Sequence, residues 1–465
     1  HRTFPPVTIT SWSFIAFLAV AVLAFSLAPV RWRANYVFPA TTLVFMCLVM
    51  PSPTAALVVL GFVLLLWLAT IVISKWPARS VRPIVLSIVL IVFGWMKAYD
   101  FLAFLPLAGQ VPVTIGLSYM LIRSMQLLVD VADTPSLRPG LVQIFSFTTS
   151  RPGLIAGPIQ RYQDFSAQVS LMESFRPGTE VFFSAMLRMV KGFFFVLVLA
   201  DATKHVWLGL QDIGLSGAYP IALAGAQIAF LIHLFFDFSG YMHIVIGAAQ
   251  LFGLQLPENF DRPWQSKSFL EFWGRWHMTM SNWFKTYVFN AVLMALVKRW
   301  PSAKLTDLHG VVAFFLTFFL VGLWHGTTWA FVLCGFLLGI GASAKQVYRN
   351  VMRRKLGKKR LEVLAGRKPY SMAAAALAFT YICFSVIPLW LGITQIRNVV
   401  ITYMLSGLIA AELVLFVFLL VALPGVQRLS RLWPPSLPRL QAAMVAGFQC
   451  AAIDAYVFLD RKSVV

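Results

Sequence analysis

Long apolar runs constrain this chain more than any other feature. They lie near 12–30, 35–50, 55–74, 83–99, 113–130, 180–200, 217–236, 239–254, 286–298, 311–341, 371–392, 397–424 and 440–459 of 465 residues. A helix that crosses a hydrocarbon core about 30 Å thick needs about 20 such residues. Only 12% of the chain is charged and 59% is hydrophobic, whereas a soluble chain carries about 25% charged residues. That balance excludes a water-soluble enzyme, a disordered chain and a fibrous repeat. Lipid offers backbone groups no hydrogen-bond partner, so the runs must be helices whose N–H and C=O groups satisfy one another. The expected fold is therefore all-α and polytopic: one membrane domain over 1–465, built from ten to thirteen spanning and re-entrant helices, with no soluble domain attached.

The net charge of +21 would suggest nucleic acid as a partner for a soluble protein. In a membrane protein the better explanation is topology, because Lys and Arg gather in cytoplasmic loops. Arg31 and Arg33 close the first run, and Lys75, Arg79 and Arg82 close the third. The stretch 345–368 holds Lys345, Arg349, Arg353, Arg354, Lys355, Lys358, Lys359, Arg360, Arg367 and Lys368 against one acid, Glu362. All three groups are placed inside, 345–368 as a basic cytoplasmic loop, with the N-terminus outside. Attraction of anionic lipid or an acidic partner is a second use for the loop. The cysteines Cys47, Cys334, Cys383 and Cys450 are far apart without CxxC spacing, so neither a disulfide framework nor a zinc site is expected. The chain begins at His1 rather than Met, pointing to a trimmed N-terminus or one left from cloning. Its first run is too long for a cleaved signal and reads as a retained span.

Polar residues inside such runs are where chemistry shows, since a charge at the centre of a spanning helix costs about 2.5–3.5 kcal/mol. Four places stand out. In Gly322-Leu323-Trp324-His325-Gly326-Thr327-Thr328 a histidine lies halfway along a run of roughly 45 Å as helix, so the run is tilted or broken, with glycines offering the break. Imidazole titrates near pH 6.5 and suits proton transfer from a hydroxyl; a neutral core histidine bonded to a carbonyl is the alternative. In Ser266 to Lys285, aromatic residues recur at three- and four-residue steps on one helical face, with Ser268 and Glu271 at capping-box spacing. His277 falls at the edge of that stripe, and Glu271 and Arg275 are spaced to pair. The helix is too polar to span and should lie at the interface or re-enter. His233 and Asp237 are four apart, which permits a buried His–carboxylate pair that either orients a catalytic group or locks the structure. Finally, glycine and proline in 151–162 forbid a regular span and suggest a re-entrant loop lining a cavity.

GPIQRYQDF (157–165), FDFSGY (236–241), LPENFDRPWQSKSFLEFWGRWHMTMSNWFKTYVF (256–289) and GLWHG (322–326) resemble, in order and separation, the membrane-bound O-acyltransferase family. The resemblance is close over 145–345, which would be the catalytic core. It implies a ring of helices around a thin central tunnel where funnels from the two faces meet. His325 matches the family's catalytic histidine, and His277 its second invariant histidine. An acceptor hydroxyl from outside would meet an activated acyl thioester from inside. Trp324, Asn282, Ser281 and backbone N–H groups near Gly326 are candidate oxyanion donors; Trp276, Arg161, His233 and Asp237 are candidate supports. No bound cofactor and no metal are implied. FWGRWHMTMSNWF (272–284) looks closer to the D-alanyl transferase branch than to the polysaccharide acetylases, although that branch's usual Arg-Asp is Lys285-Thr286 here. The branch implies a D-alanyl thioester on the phosphopantetheine arm of a small acidic carrier protein, docking at the cytoplasmic side, and an envelope glycan or polyol as acceptor. Acetyl transfer to an exopolysaccharide, from acetyl-CoA or an acetyl carrier, is the second reading. A transporter or flippase for a lipid-linked glycan is a third, though the paired repeats expected of one are not visible.

Overall fold

A computed structural model describes residues 9–76, 80–102, 116–134, 136–150, 153, 156–217 and 219–432. Arg79, Arg151, Cys450 and the expected span 440–459 lie outside this set. Among the described residues, seven helices are long and apolar enough to cross a membrane: Pro53–Lys75, Thr179–Leu215, Pro220–Gln250, Ala303–His325, Trp329–Gly366, Lys368–Leu389 and Ile393–Arg431. Shorter helices, Trp12–Leu27, Phe38–Val49, Val81–Lys97 and Leu117–Asp133, accompany them. The protein is an all-α integral membrane protein, and among the described residues the β contribution is an isolated bridge between Phe260 and Trp276. Starts follow local chemistry. Ser52 caps its helix by accepting from the Ala55 N–H at 3.1 Å, with Pro53 in the first turn where its missing N–H is harmless.

Burial separates inner from outer helices. In Lys368–Leu389, 50% of the apolar window is buried by protein, against 17% in Thr179–Leu215 and in Ile393–Arg431, so the last two are peripheral and present their apolar surface to lipid. One peripheral helix is tied inward by Gln227, which donates to Glu412 at 2.8 Å. This carboxyl inside an apolar helix was not among the four polar places, because one acid in a run of aliphatics leaves the run's character unchanged.

One open alternative is decided and three sequence expectations need correction. Of the two options for the run 311–341 the structure takes the break: the arms Thr306–His325 and Trp329–Gly366 form an antiparallel hairpin with its tip at Gly326-Thr327-Thr328. Gly326 is extended (φ −154°, ψ 178°) and ends the first arm, while Gly322 is where the arms cross. A Cβ there would sit 2.3 Å from the Gly335 Cα, so both positions need glycine for the backbones to touch. The basic stretch 345–368 is helix, not loop, because Lys, Arg, Leu and Val extend the second arm with a kink at Gly357 (φ 74°). Arg354 pairs with Asp307 at the foot of the first arm. The runs 217–236 and 239–254 merge into the single 31-residue helix Pro220–Gln250. Residues 266–285 are two short helices, Phe269–Trp273 and Met278–Phe284, separated at His277.

Candidate active site

The hairpin brings His325 to the end of a 20-residue helix, about 30 Å from its start. His325 is exposed as a residue, its ring is packed edge-on against the Trp324 ring at 4.7 Å, and among the described residues no hydrogen bond occupies its nitrogens. Trp324 itself is 6% exposed. Its indole N–H donates to the Ser118 carbonyl at 2.8 Å, which removes it from the candidate oxyanion donors. The last turn of this helix has no backbone cap at the extended Gly326, so its carbonyls need outside donors. Lys97 Nζ reaches the Trp324 carbonyl and, at 2.8 Å, Ser118 Oγ. Tyr99 donates to the Leu323 carbonyl at 3.0 Å, and the Asp100 N–H to the Thr327 carbonyl at 3.1 Å.

His277 occupies the opposite kind of environment. It is 1% exposed and adopts φ 47°, ψ 51°, a left-handed conformation that costs an L-residue about 1–2 kcal/mol. The turn is held by its neighbours. The Asp261 N–H donates to the Arg275 carbonyl at 2.9 Å, the Met278 N–H to the Asn259 carbonyl at 2.9 Å, and Arg275 pairs with Asp261 at 2.7 Å. The expected Glu271–Arg275 pair is present at 3.5 Å. Ser268 caps the Glu271 N–H, and Glu271 returns to the Lys267 N–H, one residue earlier than a capping box requires.

The side-chain partners of His277 fix its tautomer. Asn259 Oδ1 accepts from the Thr279 N–H at 3.1 Å and from Thr279 Oγ1 at 2.9 Å. A backbone N–H can only donate, so that atom is oxygen, and His277 Nδ1 at 3.3 Å from it must carry the proton. Nε2 is then an acceptor and takes the Tyr119 hydroxyl at 3.3 Å. Burial first, and then the nearby His325, push its basicity well below the ordinary imidazole range, so it is neutral. Phe238 packs edge-on at 4.8 Å. The Trp324 ring stands between the two histidines, 6.0 Å from His277 and 4.7 Å from His325, and Tyr119 touches it at 5.1 Å.

The glycine-rich segment joins this knot. Gly157 to Gln160 is irregular and buried, Ile159 N–H donates to Thr279 Oγ1 at 3.1 Å, and the buried Arg123 holds the carbonyls of Thr148 and Gly153 at 3.1 and 2.8 Å. Irregular backbone is thereby covered by protein.

Other expected residues lie elsewhere. His233 and Asp237 do not form a buried pair: His233 Nδ1 bonds the Ala200 carbonyl at 2.9 Å, its ring stacks on Trp207, and Asp237 is exposed. A carbonyl of the neighbouring helical segment outcompetes an acid one turn along the same helix that would have to be desolvated. Arg161 is exposed at the start of Tyr162–Met172. Trp276 stacks on Phe272 at 5.4 Å and Ser281 Oγ donates to the Trp276 carbonyl at 3.4 Å. Asn282 is exposed and, with backbone N–H groups near Gly326, remains as an oxyanion candidate. Sequence reasoning missed Lys97, Ser118, Tyr119 and Asn259. Only Asn259 carried a signal, inside the LPENF block. Among the described residues no three His, Cys, Asp or Glu side chains gather to hold a metal.

A model of the membrane-bound O-acyltransferase family matches residues 116–386, more than half the chain and both histidines of the site just described, though not Lys97, Tyr99 and Asp100. The chain belongs to this family. Similar proteins in it include a teichoic acid D-alanyltransferase of Streptococcus thermophilus, 27% identical over 258 residues, covering 55% of this chain and 61% of that one. Another is a probable alginate O-acetylase of Pseudomonas aeruginosa, 33% identical over 227 residues, covering 48% of this chain and 40% of that one. A third, from Azotobacter vinelandii with the same description, is 32% identical over 227 residues, covering 48% and 42%. The matched stretch thus spans roughly two to three fifths of these relatives. Family membership leaves the flippase reading without support.

Proposed function

We propose that this membrane-bound O-acyltransferase family member transfers an acyl group from a thioester to a hydroxyl, with His325 as general base. His325 Nε2 or Nδ1 takes the hydroxyl proton, the oxygen attacks the thioester carbonyl, and the C–S bond breaks. The proton then passes to the departing thiolate, so the imidazole is regenerated. The observation that carries this reading is the exposed His325, its nitrogens unoccupied among the described residues, on a backbone held by outside donors. His277, with both nitrogens bonded to protein, acts on the reaction through Trp324 and is a positioning residue.

The acyl group is D-alanyl, donated by a phosphopantetheine thioester on an acidic carrier protein, and the acceptor is an envelope glycan or polyol. Greater coverage by the D-alanyltransferase relative supports this over acetyl transfer, while the higher identity to the alginate O-acetylases keeps acetyl transfer as the second reading. The basic end of Trp329–Gly366 faces the cytoplasm of a bacterial inner membrane. Asp307 pairs with Arg354 there, so the tip carrying His325 points toward the other face; the basic residues that close the first and third apolar runs put the N-terminus outside. Purified protein in proteoliposomes, offered D-alanyl and acetyl phosphopantetheine thioesters with glycerol as acceptor, should form D-alanyl ester faster. Faster acetyl transfer selects the second reading, and wild-type rates in His325→Ala overturn the general-base assignment.

A further inference from the structure

Val81–Lys97 and Leu117–Asp133 are distant in sequence from the hairpin, yet their ends meet at its tip. Lys97 Nζ bonds the Trp324 carbonyl and Ser118 Oγ; Ser118 Oγ also reaches the Trp324 carbonyl at 3.2 Å, and the Trp324 indole returns to the Ser118 carbonyl at 2.8 Å. These bonds form a closed ring of donors and acceptors around the peptide that carries His325. The ammonium is oriented further by the Tyr99 ring at 5.4 Å and the Phe93 ring at 5.8 Å. A cation at the carbonyl end of a helix complements the negative end of its dipole. A lysine used only for membrane topology would extend to water instead.

We propose that Lys97 is a positioning residue for His325: its ammonium fixes the Trp324 carbonyl and so sets the direction of the neighbouring imidazole. The inference rests on the acyl-transfer reading. A plain anchoring role would lower stability without selecting turnover over binding. Positioning instead affects the chemical step, where a small displacement of the base costs about a hundredfold.

The test uses the full chain in proteoliposomes, with a D-alanyl phosphopantetheine thioester and glycerol. Lys97→Met should lower kcat about a hundredfold with the thioester KM within about twofold, and Lys97→Arg, which keeps a cation, should recover about tenfold of that loss. Equal activity of the Met and Arg variants, a loss confined to KM, or near wild-type kcat in Lys97→Met overturns the proposal. Should Lys97→Met fail to fold, Ser118→Ala breaks the same ring while leaving the charge; about a tenfold kcat loss is then expected, and an unchanged kcat overturns the proposal. His325→Ala separates the two readings. If it is inactive while Lys97→Met turns over normally, only the Lys97 inference fails; if it is active, the general-base assignment fails first, and if the wild type itself transfers no acyl group, the acyl-transfer reading fails.

Discussion

The two histidines of this protein are the same chemical group in opposite settings. His277 is shut in, bonded at Nδ1 by Asn259 and at Nε2 by Tyr119, whereas His325 is exposed and, among the described residues, its nitrogens are unclaimed. An imidazole with both nitrogens engaged can hold a shape but cannot exchange a proton with a substrate without first breaking a bond. One with free nitrogens can do so at once. Intramembrane histidine is therefore a sign of function only after its partners are known.

Mutations can break that contrast, beginning with the largest effect. His325→Ala is expected to lower thioester-to-hydroxyl transfer about a thousandfold with unchanged thermal stability, measured by turnover beside a melting curve. A drop in stability of the same order as His277-site variants would make the two histidines equivalent. Asn259→Ala removes bonds to His277 and Thr279 together and should cost about 2–4 kcal/mol, read as a lower Tm with activity falling in parallel. Activity lost at wild-type Tm would instead give His277 a direct part in the chemistry. Tyr119→Phe removes one bond and should cost about 1 kcal/mol, seen as a small Tm shift and a few-fold change in kcat.

The contrast also predicts a pH effect. Because burial holds folded His277 neutral, the unfolded chain binds a proton below about pH 6.5 that the folded protein refuses. Stability contributed by this site is complete above that pH and declines as pH falls through it. Melting temperatures between pH 8 and 5 should therefore decrease for the wild type and decrease less for His277→Asn, which has no proton to take up. Parallel curves would show that His277 titrates normally.

Much of this arrangement was legible in the sequence and some was not. Apolar runs and the GLWHG block pointed to helices and to His325 because those signals are local. The break at Gly326 was one of two options until the arms were seen to cross. Aromatic spacing over 266–285 suggested one helix, since both halves keep the same step and His277 lacks a glycine's licence for a left-handed turn. Charge suggested a loop at 345–368, although Lys and Arg are good helix formers. Lys97 and Ser118 were invisible because their partner, Trp324, is 227 and 206 residues away, a separation over which no spacing rule operates.

The paired glycines at 322 and 335 have one more consequence. Since the arms touch backbone to backbone there, the crossing beneath the His325 imidazole has no side-chain layer left to repack. Under the proposed function, any change in which molecules this protein accepts would thus come from redecorating the surrounding walls, such as the Tyr99–Phe101 and Trp329 aromatics, while the crossing itself stays fixed.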